Sequence, residues 1–95
     1  MSEVVNEAVT ILSQKLSGGF SGTAKFVIEG EGAIMLDADG VRAGDEDADV
    51  TLSASADVFQ QILEGEMNPT TAFMSGKLAV DGNMGLAMQL ASVLS

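Results

Sequence analysis

Three aspartates at alternate positions, Asp45, Asp47 and Asp49, are the strongest candidates for metal-ion chemistry in this sequence. Their spacing matches the first three ligand positions of a calcium-binding EF-hand loop. The rest of the loop does not match, because Val50 stands where the sharp turn needs glycine and Ala56 stands where a bidentate glutamate belongs. The segment that follows also has the pattern of a strand rather than a helix. We therefore expect a solvated acidic loop and no metal site.

The chain contains no histidine and no cysteine, which excludes a Ser-His-Asp relay, a thiol nucleophile and a zinc site of the usual kind. Most carboxylates fall at turns and strand edges, and Asp81 is expected to end a strand. Gly30-x-Gly32 is an incomplete dinucleotide fingerprint, and the segment around Gly22 and Lys25 lacks the Gly-Lys-Ser/Thr of a phosphate loop. The sequence therefore predicts a protein that is not an enzyme and needs no cofactor.

The net charge of −10 is unevenly distributed. Residues 1–66 hold 13 acids against three basic residues, whereas residues 67–95 hold one charge of each sign. Without a cationic stripe, nucleic-acid binding is not expected, and contact with a membrane is expected to be transient at most. No secretory signal pattern is visible, so we expect a cytoplasmic protein. An acidic surface is also compatible with a high-salt habitat.

The segment from Met84 to Leu94 is apolar on nearly every side of a helix. It is too short to span a membrane, which takes roughly 20 apolar residues. Its cover must therefore be the body of the protein, a partner chain or a bound apolar molecule. Because 46% of the 95 residues are hydrophobic, the third possibility predicts a cavity for a small hydrophobic ligand.

The candidate cavity residues are apolar side chains on the predicted strands and on the three C-terminal helices. They are Ile28, Leu36, Phe59, Ile62, Leu63, Phe73, Met74, Leu78, Met84, Leu86, Ala87, Met88 and Leu90. Gln89, the largest polar side chain of the final helix, is the candidate for the cavity mouth.

The elements that must position these residues begin with a helix that Ser2 caps and Gly18-Gly19 ends. Period-two alternation then predicts a hairpin of two strands around the turn at 30–32, and Asp39-Gly40 predicts a tight turn into a third, short strand. A fourth strand from Val50 is expected to lead directly into the next helix.

Ser55 is expected to cap that second helix, and Asn68-Pro69 is typical of the start of a third. Lys77 to Asp81 has the pattern of a fifth strand, and a closing helix follows. The order αββββααβα predicts a single α+β domain over residues 1–95. Its five-stranded, mostly antiparallel sheet is expected to be covered on one face by helices.

From Asn68 onward, the stretch NPTTAFMSGKLAVDGNMGLAMQL closely resembles the C-terminal signature of the sterol carrier protein type 2 family, the non-specific lipid-transfer proteins. The Asn-Pro cap, the aromatic residue before Gly-Lys-Leu and the Gly-Asn-Met-Gly-Leu-Ala-Met run carry the likeness. Residues 48–65 are also similar to the family's strand and helix. The clear resemblance therefore covers about half of the chain.

The resemblance implies a five-stranded sheet and helices that enclose a hydrophobic tunnel for fatty acids, fatty acyl-CoA or sterols, with the last helix helping to close it. It implies no catalysis. The end of the chain, 92–95, is not a Ser-Lys-Leu-like peroxisomal address, so peroxisomal targeting is not carried over.

Two hypotheses follow from these patterns. In the first, the chain binds or transfers a fatty acid, fatty acyl-CoA or sterol-like lipid in an apolar tunnel between the sheet and the C-terminal helices. In the second, it is a non-catalytic interaction module whose apolar C-terminal helix docks on a partner, with a homodimer as one possibility.

Overall fold

The computed structural model describes residues 3–16 and 22–94. In chain order its elements are α1 (Glu3–Lys15), β1 (Ala24–Glu29), β2 (Gly32–Asp37), β3 (Gly40–Ala43), β4 (Val50–Ser55), α2 (Ala56–Leu63), α3 (Pro69–Met74), β5 (Leu78–Gly82) and α4 (Met84–Leu94). This order confirms the αββββααβα prediction and the α+β class. The cap at Ser2 and the helix end at Gly18-Gly19 were predicted at positions outside the described residues.

The five strands form one sheet in the order β3-β2-β1-β4-β5. The central pair, β1 and β4, is parallel, and the other three pairs are antiparallel. The sheet is therefore mixed, and the prediction of a mostly antiparallel sheet is confirmed. The parallel pair arises because β4 returns to the middle of the sheet after the β1–β2–β3 meander.

The helices cover one face of the sheet, as the alternating sequence predicts. Ala24, Phe26 and Ile28 of β1 are buried, and the residues between them are only partly covered. Parallel pairing places Leu52 of β4 beside Phe26, so the buried residues of neighbouring strands share this face. The ring of Phe59 on α2 packs against Phe26, with centroids 5.0 Å apart.

Met35 departs from this pattern, because it lies on the opposite face of β2 and is nevertheless 1% exposed. The acidic loop after β3 covers it, and the backbone N–H of Glu46 donates to its sulfur at 3.5 Å. In the same region the Nζ of Lys25 lies 2.8 Å from the Oδ1 of Asp45. Part of the predicted acidic loop therefore covers Met35 on the second face of the sheet.

Candidate functional site

Helix α3 begins and ends where its sequence requires. The Oδ1 of Asn68 accepts hydrogen bonds from the backbone N–H groups of Thr70 and Thr71 at 2.8 and 3.3 Å, and Pro69 occupies the first turn. Proline suits that position because its fixed φ favours a helix and its missing N–H is not needed there. Gly76, with a φ of +80°, ends the turn after the helix. The predicted Asn-Pro start and glycine stop are confirmed.

Helix α4 follows β5 almost directly, through a close contact that only glycine permits. Gly82 has a φ of +105°, and a Cβ atom there would overlap the carbonyl oxygen of Asp49. The next residue, Asn83, donates its backbone N–H to that carbonyl at 2.9 Å. Its side-chain Oδ1 accepts from the N–H of Leu86 at 3.1 Å, which caps α4. The end of β5 and the start of α4 are therefore held against the residue that precedes β4.

A groove lies between the sheet and these two helices. Its floor consists of Leu52, Leu78 and Val80, and cross-strand pairing of Leu52 with Val80 aligns the first and last of these. Pro69, Thr70 and Phe73 of α3 and Met84, Ala87, Met88 and Ala91 of α4 form its walls. The walls of α4 follow the i, i+3, i+4, i+7 spacing of one helix face. The volume of this α3–α4 groove is about 30 Å³.

The groove is apolar and opens at the surface. Phe73, Met84 and Met88 are 41%, 47% and 61% exposed although they line it. Thr70 is the polar member of the lining set. Large side chains of this kind that stay in contact with water commonly mark a binding surface.

A second groove lies between α1 and α2, with a volume of about 50 Å³. Its apolar lining comes from Val4, Ala8 and Ile11 of α1 and from Phe59 and Leu63 of α2, and Glu7, Gln60 and Glu64 stand at its edge. The two grooves therefore belong to different helix pairs and differ in charge.

The predicted cavity residues fall into several different surroundings. Phe73, Leu78, Met84, Ala87 and Met88 come together in the α3–α4 groove. Phe59 and Leu63 line the other groove. Ile28, Leu36, Ile62 and Leu90 are packed in the hydrophobic core, at most 1% exposed. Membership of these residues in one binding site stays a prediction.

Three further predicted residues lie outside both grooves and outside the fully buried core. Met74 is 81% exposed at the end of α3. Leu86 is half-buried and packs towards Gly22, where an added Cβ atom would come within 2.8 Å of its Cδ1. Gln89, predicted at the cavity mouth, is exposed on α4, and Thr70 is the polar residue that reaches the groove instead.

The groove lining also contains five residues that are absent from the list predicted from the sequence: Leu52, Pro69, Thr70, Val80 and Ala91. Ala91 could have been found, since it continues the helical spacing of Met84, Ala87 and Met88. Leu52 could not, because it is distant in the chain from the other lining residues and reaches the groove only through the pairing of β4 with β5.

Among the described residues, the groove offers a ligand mainly apolar side chains to contact. No group of three or more acidic residues is close enough to hold a metal ion within 3–16 and 22–94. Asp49, one of the three aspartates of the calcium-like spacing, accepts a hydrogen bond from the N–H of Thr23 at 3.2 Å. Among the helices of the same ranges, we find none with the length and hydropathy to cross a bilayer.

The α+β fold is that of the sterol carrier protein 2 class. The chain belongs to the SCP-2 sterol transfer family, which matches residues 7–95. The resemblance seen from Asn68 onward is thereby confirmed, and it extends through the first half of the chain as well.

Curated relatives of the chain are much longer than it is. Hydroxysteroid dehydrogenase-like protein 2 from Danio rerio is 35% identical over 103 aligned residues, which cover 100% of this chain and 25% of that protein. Sterol carrier protein 2 from Rattus norvegicus is 35% identical over 95 residues, covering 96% of this chain and 16% of that protein. The chain therefore spans a quarter or less of the length of these relatives.

Among solved structures, the fold is similar to sterol carrier protein 2 of Aedes aegypti, determined as a complex with the C16 fatty acid palmitate. The TM-score is 0.80, the sequence identity is 21%, and the match covers 100% of this chain and 97% of that one. This likeness establishes the shared fold.

Proposed function

We propose that this chain is a single non-catalytic domain that binds and carries a hydrophobic ligand in the α3–α4 groove. The observation that carries the proposal is the apolar groove between β4–β5 and helices α3 and α4, with Phe73, Met84 and Met88 exposed at its opening. The ligand class is a fatty acid, a fatty acyl-CoA or a sterol-like lipid. Palmitate in the similar Aedes aegypti protein supports a single acyl chain as the first ligand to test.

Burial of the acyl chain provides the free energy of binding. Each methylene transferred out of water contributes about 0.8 kcal/mol, so ten methylenes contribute roughly 8 kcal/mol before ordering terms. Affinity in the micromolar range takes about 8 kcal/mol net, so it requires burial of more than ten methylenes but no specific polar anchor. Such a mechanism predicts broad ligand preference, because chain length contributes more than headgroup chemistry.

The groove must widen to admit a chain, since about 30 Å³ holds little more than a water molecule or two. Helix α4 is the element we expect to move. It buries only Ala87, Leu90 and Leu94, and the flexible side chains of Met84 and Met88 can follow an irregular ligand. Widening towards Leu90 would bring core residues predicted from the sequence into contact with the ligand and turn the groove into the expected tunnel.

The polar side chains support binding rather than catalysis. Thr70 is placed to donate a hydrogen bond to a ligand headgroup at the groove. The whole chain lacks histidine and cysteine, the usual bases and nucleophiles. A cytoplasmic site of action stays a prediction of the sequence.

Uptake measured in solution tests the proposal directly. Freshly purified protein is expected to show adducts of lipid mass in native mass spectrometry and to bind a fluorescent acyl probe at micromolar concentration. Met88→Asp is expected to weaken probe binding about tenfold or more, because it places a carboxylate where the chain would lie. Since Met88 is 61% exposed, the variant should stay folded, with an unchanged circular dichroism spectrum.

Gln61→Asp is the matched control. Gln61 is exposed on α2 and outside both grooves, and the substitution adds the same charge. Probe binding equal in both variants, or a clean mass together with no probe uptake by the unmodified protein, would refute lipid binding at this groove.

The exposed side chains of α3 and α4 also support the second hypothesis, a module that docks on a partner. The greater length of the curated relatives is compatible with such a contact within a larger protein. Analytical ultracentrifugation separates the two functions. A dimer that persists without ligand at low micromolar concentration supports docking, whereas a monomer that binds acyl chains supports lipid carriage.

A further inference from the structure

Exposed large apolar side chains are concentrated on helices α3 and α4. Within residues 3–16 and 22–94, the large hydrophobic side chains that are exposed are Phe73, Met74, Met84, Met88 and Val93. Phe73, Met84 and Met88 share the α3–α4 groove, and Met74 follows Phe73 on the same helix, one turn after Thr70. We call Phe73, Met74, Met84 and Met88 the α3–α4 face.

The region that carries this face is nearly free of charge. Residues 67–95 contain Lys77 and Asp81 as their charged side chains, and the net charge of −10 comes from residues 1–66. The protein measures 31 × 29 × 22 Å, whereas electrostatic interactions between exposed charges are largely screened beyond about 8 Å at physiological ionic strength. Acidic groups distant from the face are therefore screened from anything that contacts it.

We infer that the α3–α4 face docks transiently on an electrically neutral phospholipid surface, an inference that rests on the proposed lipid-carrying function. The face is apolar and uncharged, so it complements a zwitterionic surface. At low ionic strength, where charges interact over longer distances, the acidic remainder of the protein disfavours an anionic one. The flexible thioethers of three methionines suit a fluid surface without a fixed shape.

Continuity with the groove favours a lipid surface over a protein partner. Phe73, Met84 and Met88 belong both to the face and to the groove lining. A lipid chain could therefore pass from the surface into the groove between these side chains without crossing water.

Co-sedimentation of the full chain with vesicles tests the inference. We expect measurable binding to phosphatidylcholine vesicles, and weaker binding at low salt to vesicles that also contain phosphatidylserine. Binding to phosphatidylcholine should change little with salt. Preferential binding to the anionic vesicles, or no binding to either kind, would overturn the inference.

Met74 is the best position for a variant, because it is 81% exposed and lies outside the groove lining. Met74→Gln should weaken vesicle binding several-fold, and Met74→Glu about tenfold, because a charge is harder to desolvate than an amide. Gln61→Glu on α2, which adds the same charge at an exposed position outside both groove linings, should leave vesicle binding unchanged. Both Met74 variants should keep the solution uptake of the acyl probe and the melting temperature.

Two results distinguish this inference from the proposed function. If vesicle binding depends on Met74 but the protein takes up no probe from solution, the docking inference stands and the proposed lipid carriage is refuted. If the protein takes up the probe but both Met74 variants bind vesicles as well as the unmodified protein, the proposed lipid carriage stands and the docking inference is refuted. A dimer that Met74→Glu dissociates, in a protein that does not bind vesicles, would assign the face to a second copy and also overturn the inference.

Discussion

The two ends of the sheet carry helix pairs that differ on their outer sides. Helices α1 and α2 lie over β1–β4, and α1 turns Val5, Ala8 and Leu12 inward and polar residues outward. Helices α3 and α4 lie over β4 and β5, yet α4 leaves Met84 and Met88 exposed. Both pairs complete the same core, but only the first has the polar outer surface of an ordinary amphipathic helix.

This difference indicates a division of roles. The first pair closes the core around the Phe26–Phe59 contact and carries four charged side chains, whereas α3 and α4 carry none. The second pair carries apolar surface beyond what the core requires. We expect substitutions in the first pair to change the free energy of unfolding, and substitutions on the α3–α4 face to change binding.

The largest expected contrast is between Leu12→Ala and Met88→Ala. Leu12 is 0% exposed, so its truncation should lower the free energy of unfolding by about 2–5 kcal/mol through lost burial and a cavity. Met88→Ala should change it by about 0.5 kcal/mol or less, because that side chain is 61% exposed. Urea denaturation measures both, and equal losses would contradict the division of roles.

A second contrast separates the backbone requirement at α4 from that at the first hairpin. Gly82→Ala is expected to lower the free energy of unfolding by about 2 kcal/mol or more, since φ is +105° and the methyl group would overlap the Asp49 carbonyl. At Gly30, with a φ of +80°, a Cβ would meet no described atom within 4 Å, so alanine should cost only about 1–2 kcal/mol. Thermal melts of the two variants that coincide would show that the contact with Asp49 is unimportant.

Loss of a helix-capping hydrogen bond should destabilise each of the two helix pairs separately. Asn83→Ala removes the acceptor for Leu86 N–H and is expected to lower stability by about 1 kcal/mol, and Ser55→Ala removes the acceptor for Val58 N–H on α2 with a similar effect. Hydrogen exchange should rise mainly in α4 for the first variant and in α2 for the second. If Asn83→Ala also speeds probe uptake while Ser55→Ala does not, α4 is the moving element.

The smallest effect concerns pH. A hydrogen bond from Arg42, 2.9 Å away, lowers the pKa of Asp37 below its ordinary value of 3.8. A lowered folded-state pKa stabilises the fold above the unfolded-state pKa, and this contribution is lost as pH falls through the folded-state pKa. Arg42→Gln should raise the pKa of Asp37 in an NMR titration and leave probe binding unchanged. An unchanged pKa of Asp37 in this variant would show that Arg42 does not cause the lowering.

Much of the fold could be predicted because its signals are local. Ser55 and Asn68 cap the helices they were expected to cap, and Gly76 follows α3 as expected. Alternating residues such as Ala24, Phe26 and Ile28 lie on one buried face. These features depend on φ preferences and hydrogen bonds within a few residues, so the local sequence is sufficient to predict them.

The candidate site was less predictable because apolar character alone does not say which residues meet. Leu36 and Met88 are equally plausible lining residues in the sequence, yet the first is in the core and the second is at the surface. The alternation of β2 predicts that Met35 faces solvent, yet the loop that follows β3 buries it. Both outcomes depend on contacts between segments far apart in the chain.

The sequence by itself determined the order of elements, the charge asymmetry and the membership in the family, since these depend on composition, period and motif. Only the tertiary structure decided that Leu52 and Val80 share a groove floor and that Met74, Met84 and Met88 stay in contact with water. The physical reason is that burial is a property of pairs of surfaces. A helix that is apolar on all sides can bury only one side against the sheet. The order of the strands and the angle at which the helix crosses them decide which side stays exposed.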